Sequence, residues 1–194
     1  LKRIGAMYRA GSLLTKKYRK MFANSLMLPQ FDYLDTIYSR ANKTKLTELD
    51  ILYKRVAKNA LGVEKTESSI NVYKDMGWLP LHLRRQLHLS SYTFKTINNY
   101  CPRNMVDKFS YISGGSRSGE NCDISIPRSK SFKQFSFQAA KCWNILSPDL
   151  REIDDPSKFA KVLKARLLKS VIKDTNYSIN NGYDFYYQIV DSLI

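Results

Sequence analysis

The sequence predicts a mainly α-helical chain: a multi-helix bundle, a helical C-terminal extension and at most one short β element. Three observations carry this. Apolar residues recur at helical spacing over 44–62 and again over 156–173. Prolines 80 and 156 stand where helices open. Only Asp123-Ile124-Ser125-Ile126-Pro127 alternates polar and apolar residues as a strand does.

Taken in order, Ile4, Met7, Leu13 and Leu14 interleave with a dense basic run, and Gly11-Ser12 separates a short helix from a second over about 14–27. Pro29 is expected to end that second helix, because proline biases its predecessor away from helical geometry. Phe31–Ser39 reads as a short aromatic-rich helix. Over 44–62 the clearest helix has Thr44 as its expected cap, Leu46, Leu49, Tyr53, Val56 and Ala60 as a buried stripe, and Gly62 beyond its last turn. Lys54, Arg55 and Lys58 fall on its polar side. Ser68 or Ser69 starts a helix to Met76, Pro80 opens one to about Asn98, and 103–112 forms another. Ser113–Asn121 is a flexible Gly-Ser loop. Phe135–Leu146 is helical, and Asp154 or Asp155 followed by Pro156 starts the last helix, with Phe159, Val162, Leu163, Leu167 and Val171 on one side. Residues 175–194, rich in Asn and Tyr, carry no firm assignment.

Of 194 residues, 43% are hydrophobic, enough for a folded core. Thirty-two Lys and Arg against seventeen Asp and Glu leave a net charge of +15, which points to a polyanionic partner. Cys101, Cys122 and Cys142 form no C-x-x-C pair, so neither a zinc ribbon nor a disulfide framework is supported, and reduced intracellular thiols are expected. No apolar run approaches the twenty or so residues that span a bilayer. The chain starts at Leu1 with helical spacing already established and reads as a fragment of something longer.

No motif for catalysis stands out. Two-metal phosphoryl chemistry needs paired aspartates. The only adjacent pair is Asp154-Asp155, whose following Pro156 marks it as a helix start. His82 and His88, six apart, do not share a helix face as metal ligands would. Ser113–Gly119 lacks the Lys-Ser/Thr ending of a phosphate loop. The basic clusters say more. Lys16, Lys17, Arg19 and Lys20 make one patch, and Lys158, Lys161, Lys164, Arg166, Lys169 and Lys173 line the last helix with no acid between Asp155 and Asp174. Either run alone is equally the solvated face of an amphipathic helix; two of them in a chain of this charge favour phosphate binding.

Gly77-Trp78-Leu79-Pro80-Leu81 followed by Arg84-Arg85 resembles the "GWLPL…RR" segment downstream of the polymerase core in non-LTR (LINE-type) retrotransposon reverse transcriptases. Four further blocks follow the family order. Ser25–Tyr33 is similar to "SLVLPxxDY", and Leu49–Gly62, with Leu52, Arg55 and Lys58 in place, to "LxxLQRRALRxILG". Phe94-Lys95 with Asn98, Asn99 and Pro102 resembles "YKxLNGxAP". Ile126-Pro127-Arg128, Ser136-Phe137, Trp143-Asn144 and Phe159–Leu168 look like "LPR…SF…LWNxLP…FKxxLKxxLL". Together they cover roughly residues 1–170. The departures are Tyr38 for the usual Trp, Tyr53 for Gln, and Leu146-Ser147-Pro148 for Leu-Pro, consistent with a decaying copy or with ordinary divergence.

The resemblance implies a thumb-like unit over 1–62 gripping template–primer duplex, a helical extension over 63–112, a loop with a short strand over 113–134, a C-terminal helical module over 135–174 and a tail over 175–194. It implies a nucleic-acid-binding piece of an RNA-directed DNA polymerase, with no catalytic centre and no cofactor of its own. The parent polymerase would use Mg2+. Its partners would be RNA–DNA hybrid or duplex and the palm and fingers of the same polyprotein, in a nuclear or cytoplasmic setting, with no membrane and no small-molecule substrate. Expected duplex contacts are Lys16, Lys17, Arg19, Lys20, Arg55 and Lys58, with Arg84 and Arg85 sharing one inward and one phosphate-facing role; Lys158, Lys161 and Lys164 form a second surface. The alternative is a transposon-derived protein-interaction module. An interfacial membrane binder using helix 156–173 and a stand-alone enzyme are the remaining classes.

Overall fold

The computed structural model describes residues 2–11, 13–38, 41–107, 109–110, 123–127 and 135–173. They are mainly helical, in the order α1 (Lys2–Ala10), α2 (Lys16–Phe22), a π-helical turn (Ala23–Met27), α3 (Leu28–Asp32), α4 (Asp35–Tyr38), α5 (Lys43–Leu61), α6 (Ser69–Met76), α7 (Leu81–Ile97), α8 (Arg103–Val106), α9 (Phe135–Asn144), α10 (Pro148–Arg151) and α11 (Pro156–Lys173). The Gly-Ser loop expected at Ser113–Asn121 and the tail from residue 175 lie outside the described residues. Among the described residues no helix is long and apolar enough to cross a membrane. The chain forms two compact units, Leu1–Leu81 with the end of α11 from Val171, and His82–Ser170.

In the first unit α5 is the organising element. Asn42, not Thr44, caps it: the Asn42 side chain accepts from the Lys45 N–H at 3.0 Å, so the helix begins one residue earlier than expected. Leu46, Tyr53, Val56 and Ala60 of the expected stripe are buried and Leu49 is half-buried. Small side chains at Ala57, Ala60 and Ala23 let α2 and the π-helical turn approach α5 closely.

Pro29 does not end the second helix. The chain stays helical from Lys16 to Asp32, because Ala23–Met27 winds as a π-helical turn and Pro29 falls at the start of α3. A proline has no N–H to give to the turn before it, and the wider turn removes the demand for one.

The core of this unit is aromatic. Tyr53, fully buried, meets Phe31 edge-on at 5.1 Å and Trp78 at 4.9 Å between ring centroids, with Tyr73 at 5.8 Å. Its hydroxyl donates to the Leu79 carbonyl at 2.9 Å, and the Trp78 indole N–H donates to Asn24 Oδ1 at 2.7 Å. These long-range contacts draw Ser69–Leu81 into the same core as α5, and the first compact unit runs to Leu81. Gly77 ends α6 in the left-handed region at φ 66°, with the Trp78 N–H returning to the Tyr73 carbonyl.

In the second unit Phe94 of α7 stacks on Phe159 of α11, with centroids 4.3 Å apart, and Trp143 of α9 lies 6.4 Å from Phe94. Leu163 and Leu167 continue the buried face of α11. Buried hydroxyls on α7 are satisfied locally, Thr93 donating to the Leu89 carbonyl and Thr96 to that of Tyr92. The region 103–112 is helical only over Arg103–Val106 among its described residues. At the expected strand Ile124 makes a single bridge position, with the Ser125 N–H donating to the Ser110 carbonyl at 2.7 Å.

Candidate nucleic-acid interface

On α5 the residues between the buried positions build a second face. Ile51, Arg55, Lys58 and Gly62 recur at steps of four, three and four, which stacks them on one side of a helix. α2 packs along α5 and brings Arg19 to the same side. With the turn Gly62–Lys65, these residues line a cleft of about 790 Å³ that also takes in Tyr8, Leu52, Lys54 and Asn59. Among the described residues five cations reach it, Arg19, Lys54, Arg55, Lys58 and Lys65, against one acid, Glu64.

Each cation is held differently. Arg55 is exposed and Arg19 half-buried, and neither makes an ion pair among the described residues. Lys58 Nζ donates to the Lys65 carbonyl at 2.6 Å, pinning the turn that closes the cleft. Lys54 is half-buried; desolvation holds its pKa below the ordinary lysine value, Asp50 partly offsets this, and Lys58 adds to it by repulsion.

Gly62 is favoured by its backbone: a φ of 69° places it in the left-handed region, ending α5 with the Val63 N–H on the Lys58 carbonyl at 3.2 Å. A Cβ there would also stand 2.6 Å from Arg19 Nη2, the far end of a flexible side chain, so the guanidinium would shift to make room. The charge of Arg19 is also favourable beside the carboxyl end of α5.

Of the other expected contacts, Lys16 and Lys17 are exposed on α2 and make no ion pair among the described residues. Lys20 donates to the Asp75 carbonyl at 2.7 Å and so ties α2 to the end of α6. On α7, Arg85 is buried at 4% exposure and Arg84 half-buried, and both are engaged with other groups. Lys158 and Lys161 are exposed on α11, while Lys164 is half-buried, its pKa lowered by desolvation and then by Arg84. Arg166 is occupied by Asp149 and Ser147. Asp155 caps α11, its carboxylate accepting from the Lys158 N–H. Lys54, Lys65, Tyr8 and Asn59 belong to the cleft without having been singled out for it. Lys54 was visible on the polar side of its helix; the others enter only through packing and the turn after Gly62.

No family model matches the chain, and no curated protein or solved structure matches it at a significant level.

Proposed function

We propose that this chain binds nucleic acid in a sequence-tolerant way, as the thumb and following extension of a LINE-type reverse transcriptase, gripping template–primer duplex for polymerisation carried out by palm and fingers domains elsewhere. The chain itself supplies no catalytic centre, and its setting is intracellular, nuclear or cytoplasmic. The observation that supports this reading is the gathering of Arg19, Lys54, Arg55 and Lys58 around one cleft, with Lys16 and Lys17 exposed on the adjoining helix. Lys and Arg bind phosphates without exact geometry, and each neutralised phosphate releases counterions.

The test is binding of the chain to labelled RNA–DNA hybrid, double-stranded DNA and single-stranded RNA at two salt concentrations. Binding should be strongest for the hybrid, fall steeply with salt and be lost on joint Lys16→Glu and Lys17→Glu substitution. Affinity unchanged by salt would reject the phosphate grip.

A second reading, a protein-interaction module, draws on one observation. Met21, Tyr33 and Ile37 are 59%, 73% and 59% exposed in the α2–α4 region of the first unit. It predicts that the same charge reversal leaves the main activity intact.

A further inference from the structure

A duplex presents its phosphates along a convex ridge, and a flat basic face is enough to hold it. The α2–α5 cleft is not flat. At about 790 Å³ it lies within the range of recesses that enclose a small organic group, far more room than a phosphate needs. Its lining mixes cations with apolar side chains, the latter from Tyr8, Ile51, Leu52 and Val63. Tyr8 and Ile51 remain 46% and 42% exposed, so part of the apolar lining is open to solvent.

We propose that the cleft lined by Tyr8, Arg19, Ile51, Arg55 and Asn59 takes one unpaired nucleotide of a nucleic-acid strand, its base against Tyr8 and Ile51 and its phosphate on Arg19 and Arg55. An aromatic ring beside a cationic groove is how proteins hold unstacked bases of any sequence. This deepens the nucleic-acid reading above and rests on it: the chain distinguishes a duplex with a single-stranded overhang from a blunt one. A free nucleotide offers the same chemistry, and the experiment separates the two sources.

The experiment measures fluorescence anisotropy of the full chain with a blunt RNA–DNA hybrid and with a hybrid of equal phosphate count carrying a four-nucleotide overhang, adenosine monophosphate serving as competitor. Tyr8→Ala and Ile51→Ala are charge-neutral truncations at half-exposed positions, and circular dichroism checks that both variants keep their helices. The overhang should bind about tenfold more tightly than the blunt hybrid, as expected for stacking of one base. Each truncation should lower affinity for the overhang hybrid about tenfold more than affinity for the blunt one and so erase the preference, whatever it does to duplex binding itself. Equal affinity for the two hybrids, or a preference that survives both truncations, overturns the proposal and leaves the duplex grip standing. Displacement of the overhang by micromolar adenosine monophosphate overturns the strand as the source. Absence of binding to either hybrid rejects the underlying reading as well.

Discussion

The side-chain amide of Asn144 pairs with the backbone of Ile124 as a neighbouring strand would. The Ile124 N–H donates to Asn144 Oδ1 and Asn144 Nδ2 donates to the Ile124 carbonyl, both at 2.9 Å. Ile124 is fully buried, and these two bonds satisfy its backbone N–H and carbonyl within the second unit. Arg151 reinforces the arrangement, donating to the Asn144 carbonyl at 2.6 Å and to Asp123 at 2.8 Å.

Asn144→Ala strips both partners from that backbone at once. The expected loss is about 2–3 kcal/mol, the cost of leaving buried amide groups unmet. Urea unfolding followed by circular dichroism measures it. A loss below half a kcal/mol would mean that the segment finds other partners.

Tyr53→Phe removes one hydroxyl from the aromatic core and leaves its ring contacts in place. The Leu79 carbonyl, just before the proline that precedes α7, loses its donor. A destabilisation of about 1–2 kcal/mol is expected. Thermal unfolding of the two proteins side by side decides it, a shift of less than one degree counting against the bond.

Lys54→Met should move stability and binding in opposite directions. Burial penalises the lysine charge, so the folded state holds that proton less tightly than the unfolded one. The cost is fully present below the folded pKa and is relieved as pH rises through it toward the ordinary value of 10.5. The variant should therefore unfold at higher temperature at neutral pH, with the advantage shrinking in alkali. Its salt slope for hybrid binding should fall by about 1 if Lys54 meets a phosphate. An unchanged slope would assign Lys54 no part in binding.

Asp149 governs an acid-side effect. Hydrogen bonds from Arg166 and then Ser147 hold its carboxyl below the usual value of 3.8. That contribution is present above 3.8 and disappears as pH falls through the lower folded value. The stability difference between the wild type and Asp149→Asn should be small at neutral pH, as exposed pairs are, and vanish in strong acid. A difference that grows on acidification would contradict it.

How much of this was legible in the sequence varies with the range of the forces involved. α5 and α11 could be read because periodicity and end signals agree there: Gly62 closes one and Asp155-Pro156 opens the other. Local ambiguity misled at Thr44, where Asn42 was the better-placed acceptor, and at Pro29, where a π-helical turn is invisible to a 3.6-residue template. The segment around Ile124 reads as a strand, but among the described residues it bridges at one position only and shares its backbone bonds with a side chain twenty residues away. The first unit reaches Leu81 because Tyr53 holds Trp78 and Leu79, contacts with no local signature. Likewise the individual cations of the cleft were countable, whereas its shape depends on α2 lying on α5 and on Arg19 resting against Gly62.

The π-helical turn at Ala23–Met27 gives this chain one place inside a helix where its length can change. A π turn holds one residue more than an α turn, so removing a single residue there restores an ordinary helix and leaves composition and charge almost untouched. The segments before and after it keep nearly the same angular relation, and Arg19 stays beside Gly62. The local loss is the bond from the Trp78 indole to Asn24. A one-codon deletion in this stretch would thus do less damage than the same deletion in the turn 64–67, where the Lys65 carbonyl holds Lys58.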